Sequence, residues 1–327
     1  MSPKTSRDSP VDVLIIGAGP AGLSCSSSLA RLLHTCIVFS SESHRNQESK
    51  HMHGVLTWEH RDAADFRAAA RKDILAHYST TSFEDITISK IEKFERADGT
   101  SLFKATDEIG KEWWGRKVVL ATGIKDIMPN IKGYDECWGS AIFHCLFCHG
   151  YEERGASTAG VLAMDDCAPA PAALHMARFA NRLVQKVTIY THDNDSVTKD
   201  IEQALSQCNP DSKTRKNVNI DSRKIAKFVK GGKGGEIEVH FEDGEKKLEG
   251  FLAHKPKGAL NVPFVDQLGL EVTPQGDIKT TPPFQETSVR GVFAGGDSAT
   301  PMKAATVALS AGGLLAAGIA AQLGVED

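Results

Sequence analysis

The apolar positions of the chain first predict a buried strand, a helix and a second strand. Residues 11–16 are rich in β-branched side chains, which is typical of a parallel strand that is buried on both faces. Small residues then continue to about Leu33 and predict a helix, and Cys36 to Phe39 form another apolar run. This order of elements is how a Rossmann-like βαβ unit begins.

A glycine motif, Gly17-Ala18-Gly19-Pro20-Ala21-Gly22, lies between the first strand and the helix. In this strand–turn–helix context the Gly-x-Gly-x-x-Gly spacing predicts dinucleotide binding. Gly17 permits a tight turn, Gly19 lets a pyrophosphate approach the backbone, and Gly22 lets the helix and strand pack closely. The N-terminus of the helix would offer its N–H groups and its positive dipole to the phosphates.

The rest of the pattern predicts a second, similar domain. Short strands over 87–119 complete the first part of an initial domain. The order of elements then repeats more faintly, with a strand at 160–164, a helix at 171–183, a strand at 187–190, a hairpin at 229–241 and a strand at 250–254. We therefore predict an α/β fold of two Rossmann-like dinucleotide-binding domains, the second inserted in the first. The first domain would comprise 1–125 and 256–327, and the inserted domain 126–255.

The run from Ala304 to Leu323 admits two interpretations. Its length of about 20 residues suits a membrane span. Its many Gly, Ala, Ser and Thr residues, and the Gly-Gly-Asp turn before it, favour a helix packed on a sheet or a ligand. Met1 to Pro10 is polar and has no apolar region of the kind that a secretory signal contains. We therefore expect a cytoplasmic protein with no membrane partner.

Composition and charge exclude several other classes of protein. Charged residues make up 24% and hydrophobic residues 41% of the 327 positions, which is ordinary for a globular protein and excludes disorder or a coiled coil. Basic residues number 38 and acidic residues 42, for a formal charge of −4. Such a balance offers no basic surface for a polyanion, so we expect no nucleic-acid partner.

Two of the seven cysteines form the sequence Cys145-Leu146-Phe147-Cys148. In a reducing compartment this pair is typical of a catalytic or metal-binding site rather than a structural disulfide. With His149 it also reads as a c-type haem attachment string, and with His144 and His149 it offers zinc-like donors. The polar N-terminus argues against haem, and the lack of a second Cys-x-x-Cys argues against zinc. We predict a redox-active pair and no metal.

The chain resembles the low-molecular-weight thioredoxin reductases over nearly its whole length. The shared landmarks, in order, are the motif Gly17 to Gly22, Ala121-Thr122-Gly123, the pair Cys145–Cys148 with Gly150 after it, and Gly296-Asp297 before the last helix. The resemblance implies a thioredoxin reductase-like fold, bound FAD and, by analogy, a homodimer.

The resemblance also implies which segments hold FAD. Asp297 would accept a hydrogen bond from a ribitol hydroxyl, although it could serve only as a helix N-cap. The helix that starts near Lys303 would direct its positive N-terminus at the flavin. The acid usually found after the second strand is missing, so Ser40 or Glu42 would reach the ribose. The predicted FAD-binding residues are Gly17, Gly19, Pro20, Ala21, Gly22, Ser40, Arg45, Asn46, His53, Ala121, Thr122, Gly123, Asp297, Lys303, Ala304 and Ala305.

The inserted domain departs from the reductases where they bind NADPH. The predicted strand 160–164 is followed by Asp165-Asp166-Cys167-Ala168-Pro169, without the glycines of the family fingerprint. The second strand is followed by Thr191-His192-Asp193-Asn194-Asp195, which is acidic where the family has arginines. Two unit charges about 4 Å apart repel by around 4 kcal/mol at an effective dielectric of 20. The site is either an unusual nicotinamide site or, as we predict, one that has lost its cofactor.

This pattern resembles the FAD-dependent dithiol oxidases of fungal epipolythiodioxopiperazine biosynthesis, the gliotoxin type. The matching segments are 45–58 and 145–152. The implied reaction closes a disulfide in a small dithiol natural product, with molecular oxygen as acceptor and hydrogen peroxide as by-product. Alternatives are an NADPH-dependent disulfide reductase with a divergent site and a non-enzymatic flavin thiol sensor.

In the reaction that the resemblance implies, the two cysteines have different roles. Cys148 would face the flavin, and Cys145 would be attacked by a substrate thiolate. We expect the pair at a helix start, where N–H groups lower a thiol pKa. His149 occupies the position of the acid that follows the second cysteine in the reductases, and an imidazole is suited to removing thiol protons at neutral pH. His144 is the competing base.

Overall fold

The structure, a computed structural model, describes residues 5–260 and 262–327. Within this part of the chain the contacts define two compact units. Unit 1 combines the residues up to Lys125 with those from Gly258 onwards, and unit 2 comprises Asp126–Lys257. Unit 2 is therefore inserted in the sequence of unit 1.

The helices and strands follow in chain order. The first part of unit 1 contains β1 (Val11–Ile16), α1 (Pro20–Ala30), β2 (Cys36–Phe39), α2 (Ala63–His77), β3 (Thr81–Glu84), β4 (Ile88–Glu95), β5 (Ser101–Asp107) and β6 (Glu112–Leu120). Next come β7 (Ile124–Ile127), α3 (Tyr134–Cys137), β8 (Ile142–Phe143), β9 (Thr158–Leu162), α4 (Ala170–Leu183), β10 (Lys186–Tyr190), α5 (Asp195–Ser206), α6 (Lys213–Asn217) and β11 (Val218–Asp221). The remaining elements are β12 (Ile225–Lys230), β13 (Ile237–Phe241), β14 (Lys246–Glu249), β15 (Leu252–Ala253), β16 (Lys257–Leu260), α7 (Phe264–Leu268), β17 (Val292–Ala294) and α8 (Ala305–Glu326).

Unit 1 is built on a seven-stranded sheet with the order β3-β2-β1-β6-β5-β4, and β17 also pairs with β6. The pairs β1–β2, β1–β6, β2–β3 and β6–β17 are parallel, whereas β4–β5 and β5–β6 are antiparallel. Central strand β1 is buried along almost its whole length. This agrees with the two-sided burial that its β-branched sequence predicts.

The long helix α8 packs against α1. Leu315, Ile319 and Leu323 are buried in one core cluster with Leu29 of α1. A Cβ on Gly312 would lie 2.5 Å from the carbonyl oxygen of Ala21. Such a contact is far inside van der Waals distance, so glycine at position 312 is what lets the two helices approach so closely.

By length and composition, α8 could also cross a membrane. Within its most apolar window, 44% of the residues are buried in the protein. Small residues on the side that meets α1 explain this packing, because they allow two backbones to come close without a large side chain between them. The structure thus places the predicted C-terminal helix in the core of unit 1.

Unit 2 contains a five-stranded parallel sheet with the order β11-β10-β9-β15-β8. An antiparallel sheet, β12-β13-β14, lies between β11 and β15 in sequence. Helix α4 covers the parallel sheet through Ala173, Leu174 and Ala177, which are buried with strand residues such as Val161. The predicted α/β fold with two Rossmann-like domains is confirmed.

The structure corrects two details of the predicted elements. Helix α1 ends at Ala30 rather than Leu33, and Leu33 has a φ of +62°, which an α-helix cannot contain. Helix α8 begins at Ala305, with Ala304 as its N-cap. Asp297 instead lies in a short 3₁₀ turn, so its interpretation as the N-cap of the last helix is wrong. A helix capped at Asp297 would carry Pro301 beyond its first turn, where proline lacks the required N–H.

Candidate active site

The glycine motif forms a tight turn between β1 and α1. Gly17 has a φ of +113°, and its N–H donates to the carbonyl oxygen of Phe39 at 2.9 Å. A Cβ on Gly17 would collide with the carbonyl oxygen of Ala121, and a Cβ on Gly22 would collide with that of Gly17. Both positions therefore require glycine for close backbone packing, as the sequence predicts for a turn and for helix–strand contact.

Gly19 has a different role from its two neighbours. It is the N-cap of α1, in an extended conformation, and a Cβ there would have no atom within 4 Å. Pro20 opens the helix and Ala21 is buried behind it. The first turn of α1 contains no acidic residue. Open space in front of a helix N-terminus with undonated N–H groups suits an anionic group such as a pyrophosphate.

The Ala121-Thr122-Gly123 segment follows β6 beside this turn. The N–H of Ala121 donates to the carbonyl oxygen of Ile16 at 2.9 Å, which ties the segment to the end of β1. Gly123 has a φ of +65°. The Thr122 hydroxyl oxygen is buried and has no hydrogen-bond partner among the described residues. Because a buried hydroxyl without a partner is unfavourable, Thr122 is an available polar contact for a ligand.

Ser40 lies directly after β2, at the position where the acidic residue expected from the resemblance to the reductases is missing. It is 2% exposed, and its hydroxyl oxygen accepts a hydrogen bond from the N–H of Glu42 at 3.3 Å. Glu42 itself is exposed and has a φ of +57°. The serine hydroxyl therefore bonds within the loop that carries Glu42.

Asp297 forms an ion pair with Arg45. The distance from Arg45 Nη1 to Asp297 Oδ2 is 2.9 Å. The Lys303 ammonium lies on the same loop, where it donates to the backbone oxygens of Asp297 and Thr300 and pairs with Asp277 at 2.7 Å. Lys303 thus precedes α8 and holds the Asp297 loop in place. Nothing in the sequence predicts the pairing of Arg45 with Asp297.

The other predicted FAD-binding residues lie in the segment between β2 and α2 and at the start of α8. Asn46 accepts a hydrogen bond from Arg67 Nη1 at 3.1 Å. His53 Nε2 lies 3.0 Å from His60 Nδ1, in a loop closed by a bridge between Met52 and Arg61. Ala304 and Ala305 form the N-terminus of α8, which has no acidic residue in its first turn.

These residues fit a bound dinucleotide. The open space at Gly19, the free helix N-terminus and the unpartnered Thr122 hydroxyl are what an FAD pyrophosphate and its neighbouring polar groups require. A cavity of about 490 Å³ is lined in part by Gly295 and Gly296. Its lining includes none of the predicted FAD-binding residues, so we do not assign it to the cofactor.

Cys145 and Cys148 form a disulfide, with their Cα atoms 5.2 Å apart. They lie in a turn rather than at a helix start, so the sequence expectation on this point is wrong. Within the turn the N–H of Cys148 approaches Cys145 Sγ at 3.2 Å. A backbone N–H directed at a sulfur stabilises its thiolate, as a helix N-terminus would. The N–H of Cys148 thus provides the thiolate stabilisation that the sequence analysis expected from a helix N-terminus.

The other five cysteines are not in disulfides, and only Cys208 among them is partly exposed. Burial raises the pKa of the Cys167 thiol to about 11. A thiol with so high a pKa is not ionised at neutral pH and is a poor nucleophile. Cys145 and Cys148 stay the predicted reactive pair.

Aromatic rings hold the two histidines beside the disulfide. The His149 ring stacks on Phe143 with centroids 5.5 Å apart, and the His144 ring stacks on Trp138 at 5.8 Å. The N–H of His149 donates to the carbonyl oxygen of Cys145 at 2.9 Å. Both histidines are half-buried, so the choice between them as base stays a prediction.

The turn after β9 in unit 2 differs from the glycine turn after β1. Asp165 and Asp166 stand in a 3₁₀ turn, and α4 then begins after Pro169, with Pro171 in its first turn. Proline has no N–H, so two of the donors that a phosphate would use are missing from this helix N-terminus. Asp166 pairs with Lys255 at 3.3 Å.

The loop after β10 contains no arginine, and Arg223, which follows the neighbouring strand β11, is already paired. Asn194 caps α5 by accepting a hydrogen bond from the N–H of Val197 at 3.1 Å. Arg223 is paired with Asp221 at 2.7 Å and also with Asp243, and these carboxylates raise its pKa. The guanidinium is therefore already neutralised by carboxylates on the same unit.

The structure adds a buried pair that sequence reasoning missed. The Tyr134 hydroxyl lies 2.6 Å from His254 Nδ1, and both side chains are fully buried. Nε2 of His254 lies 3.7 Å from Asp165 Oδ2. Burial lowers the pKa of His254 to about 4, so the imidazole is neutral at physiological pH. The only sequence signal is that His254 closes a short apolar strand.

Comparison with known proteins places the chain in a family. Residues 11–312 match the pyridine nucleotide-disulphide oxidoreductase family. A thioredoxin reductase (aclD) of Aspergillus oryzae is 41% identical and covers 97% of each chain, and a thioredoxin reductase (sirT) of Leptosphaeria maculans is 39% identical over 92% of this chain and 90% of the relative. The solved structure of HlmI has a TM-score of 0.83 at 26% identity and covers all of this chain and 96% of that one.

The chain belongs to the pyridine nucleotide-disulphide oxidoreductase family, and within it to the thioredoxin reductase-like proteins. The predicted resemblance to thioredoxin reductases is confirmed. The protein is an oxidoreductase that acts on thiol or disulfide groups, and its cofactor is FAD.

Proposed function

We propose that the protein is an FAD-dependent dithiol oxidase that uses molecular oxygen. The observation that carries this proposal is the contrast between two corresponding turns. The turn after β1 presents glycines and a helix N-terminus with free N–H groups. The turn after β9 presents Asp165, Asp166 and a helix in which the N-cap Pro169 and the second residue Pro171 both lack an N–H group. The first suits a pyrophosphate and the second repels one.

The cysteine pair would then receive electrons from the substrate. A substrate thiolate attacks Cys145 Sγ, the Cys145–Cys148 bond breaks, and Cys148 leaves as the thiolate. The second substrate thiol loses its proton and attacks the substrate sulfur of the mixed disulfide, so that Cys145 leaves. The N–H of Cys148 that approaches Cys145 Sγ favours this departure. Two electrons and two protons pass from the substrate dithiol to the enzyme pair.

A histidine beside the pair would move the thiol protons. We propose His149 as the base, with His144 as the competing candidate. The stacking of each ring on an aromatic neighbour fixes its plane, which favours a defined direction for proton transfer.

FAD would be held by the glycine turn, Thr122 and the Asp297 loop. The chemistry that it supplies when bound is acceptance of the electron pair from the reduced cysteines and its transfer to oxygen, with hydrogen peroxide as by-product. We propose that the substrate is a small dithiol of the epidithiodioxopiperazine type. The resemblance of segments 45–58 and 145–152 and the fungal sources of the similar thioredoxin reductases support this class. A cytoplasmic homodimer remains part of the proposal.

The second candidate is an NADPH-dependent disulfide reductase. It is favoured by the names of the similar fungal proteins, which are thioredoxin reductases at 39–41% identity. In that case NADPH would bind despite Asp165 and Asp166.

One anaerobic titration distinguishes the two functions. The purified yellow protein is mixed with NADPH in one cuvette and with dithiothreitol in another, and flavin absorbance is followed before and after air is admitted. We expect bleaching by the dithiol alone, with recovery of colour and formation of hydrogen peroxide in air. Bleaching by NADPH alone would establish the reductase. A protein that consumes no oxygen with any dithiol would instead favour the thiol sensor.

A further inference from the structure

Phe147 lies inside the four-residue loop that the Cys145–Cys148 disulfide closes, and it is 80% exposed. Single exposed apolar side chains are common on protein surfaces and need no explanation. Phe147 differs because it lies between the two cysteines and because the Phe179 ring contacts it. Its position next to both redox-active sulfurs places an apolar surface where a thiol substrate must arrive.

One residue of α4 contacts the Phe147 ring, and a second packs against that residue. The Phe147 and Phe179 rings meet edge to face, with centroids 5.2 Å apart, and the Phe179 and His175 rings are 4.3 Å apart. His175 and Phe179 are one helical turn apart and therefore lie on the same face of α4. We call Phe147, Phe179 and His175 the aromatic ledge.

The disulfide loop packs closely against α4, the helix that carries two residues of the aromatic ledge. Leu146 is buried in the core cluster against which Leu183 of α4 packs. A Cβ on Gly150 would lie 2.7 Å from the Leu146 carbonyl oxygen and 3.0 Å from Leu183 Cδ1. Because the loop packs this closely on α4, the ledge and the sulfurs keep a fixed mutual position.

We infer that the aromatic ledge selects dithiols that carry a flat, uncharged ring. Such a ring stacks on Phe147 while its thiols reach Cys145. This inference deepens the proposed function and rests on it. A protein partner fits less well, since a stable protein interface uses about 20–30 residues a side and the ledge has three rings. Aromatic pairs contribute enough to change a binding constant by roughly twofold to tenfold.

The test compares two dithiols in oxygen uptake by the intact flavoprotein. The flat probe is benzene-1,2-dimethanethiol and the non-aromatic probe is dithiothreitol. For Phe147→Ala we expect kcat/KM to fall roughly fivefold to tenfold with the flat dithiol and to stay within about twofold with dithiothreitol. Phe147→Tyr, which keeps the ring, should retain the preference of the wild type. Ile109→Ala removes an exposed apolar side chain in unit 1 and should change neither value.

Four outcomes overturn the inference. Equal losses with both dithiols would mean that Phe147 acts on the disulfide itself. No change with either would mean that the ledge does not touch the substrate. A loss confined to thioredoxin reduction in an NADPH-coupled assay would assign the ledge to a protein partner. If the wild type oxidises neither dithiol, the proposed function fails and the inference fails with it. If the wild type oxidises both and Phe147→Ala keeps the wild-type preference, the inference alone is refuted.

Discussion

Arg45 and Asp297 are 252 residues apart in the sequence, and their side chains form an ion pair with Nη1 and Oδ2 2.9 Å apart. Both side chains are largely shielded, with exposed fractions of 15% and 23%. The pair joins the loop after β2 to the Gly296-Asp297 turn after β17. It therefore connects two of the segments that we propose to hold FAD.

Loss of this pair should weaken flavin binding. Removing a hydrogen bond to a charged, shielded group costs about 1.5–3 kcal/mol, or roughly tenfold to a hundredfold in affinity. We expect Arg45→Ala to lose flavin on gel filtration, measured as the ratio of absorbance at the flavin band to that of protein. Arg71→Ala is the matched control, because its ion pair with Asp85 is more exposed and contributes little. An Arg45→Ala protein as yellow as the control would refute the role.

Substitutions of Gly19 and Gly22 in the same motif should have different effects. A side chain at Gly19 meets no protein atom, so Gly19→Val should fold normally and remain colourless, because the valine occupies the place of the pyrophosphate. A Cβ at Gly22 collides with the Gly17 carbonyl oxygen, so Gly22→Ala should lower the free energy of unfolding by about 1–3 kcal/mol. Circular dichroism during thermal unfolding and flavin absorbance separate the two effects. A fully yellow Gly19→Val protein would contradict the placement of FAD.

Cys148→Ser should abolish electron transfer from thiols while FAD stays bound. A serine cannot form the disulfide, so a substrate thiolate has no bond to break at Cys145. The measurement is anaerobic bleaching of the flavin by dithiothreitol, which we expect to disappear. Cys208→Ser is the control, since Cys208 is partly exposed and outside the disulfide. Dithiol oxidation at the normal rate by Cys148→Ser would show that the pair is not the entry point.

Buried His254 should make the stability of the protein depend on pH. Its folded pKa of about 4 lies below the ordinary value of 6.5. The unfolded chain therefore binds the proton more readily, and the contribution of neutral His254 is complete above pH 6.5 and is lost as the pH falls towards 4. The shift corresponds to roughly 3 kcal/mol.

Urea unfolding at pH 7 and pH 4.5 tests this dependence. Wild type should lose more free energy of unfolding between the two pH values than His254→Gln, which has no imidazole to protonate. Tyr134→Phe, which removes the hydroxyl 2.6 Å from His254 Nδ1, should destabilise the protein at both pH values. Identical pH dependence in wild type and His254→Gln would show that the histidine does not titrate in this range.

Several features of the site are local in sequence and could be predicted from it. The spacing of Gly17, Gly19 and Gly22 predicts the turn because Gly17 has a positive φ, Gly22 packs on the Gly17 carbonyl group and Gly19 leaves open space at the helix N-terminus. The Cys145–Cys148 spacing predicts a redox-active pair because a turn over four residues brings the two Cα atoms within reach of a disulfide. The apolar run 11–16 predicts β1 for the same reason, since burial on both faces needs only local composition.

Other predictions failed where the local pattern was ambiguous. A Cys-x-x-Cys is compatible with both a helix start and a turn, and the packing of Gly150 on Leu183 favours the turn. The alternative role of Asp297 as a helix N-cap failed, because Pro301 cannot occupy a helix interior; the last helix starts at Ala305, close to the expected start near Lys303.

The sequence by itself determined the two Rossmann-like domains, the glycine turn and the spacing of the reactive cysteines, because these follow from periodicity and from backbone conformations that few residues adopt. The tertiary structure alone decided that Arg45 meets Asp297, that Tyr134 meets His254 and that Phe147 meets Phe179. These contacts join residues from separate elements. Their partners depend on how the packed strands and helices bring loops together, and no local pattern records that.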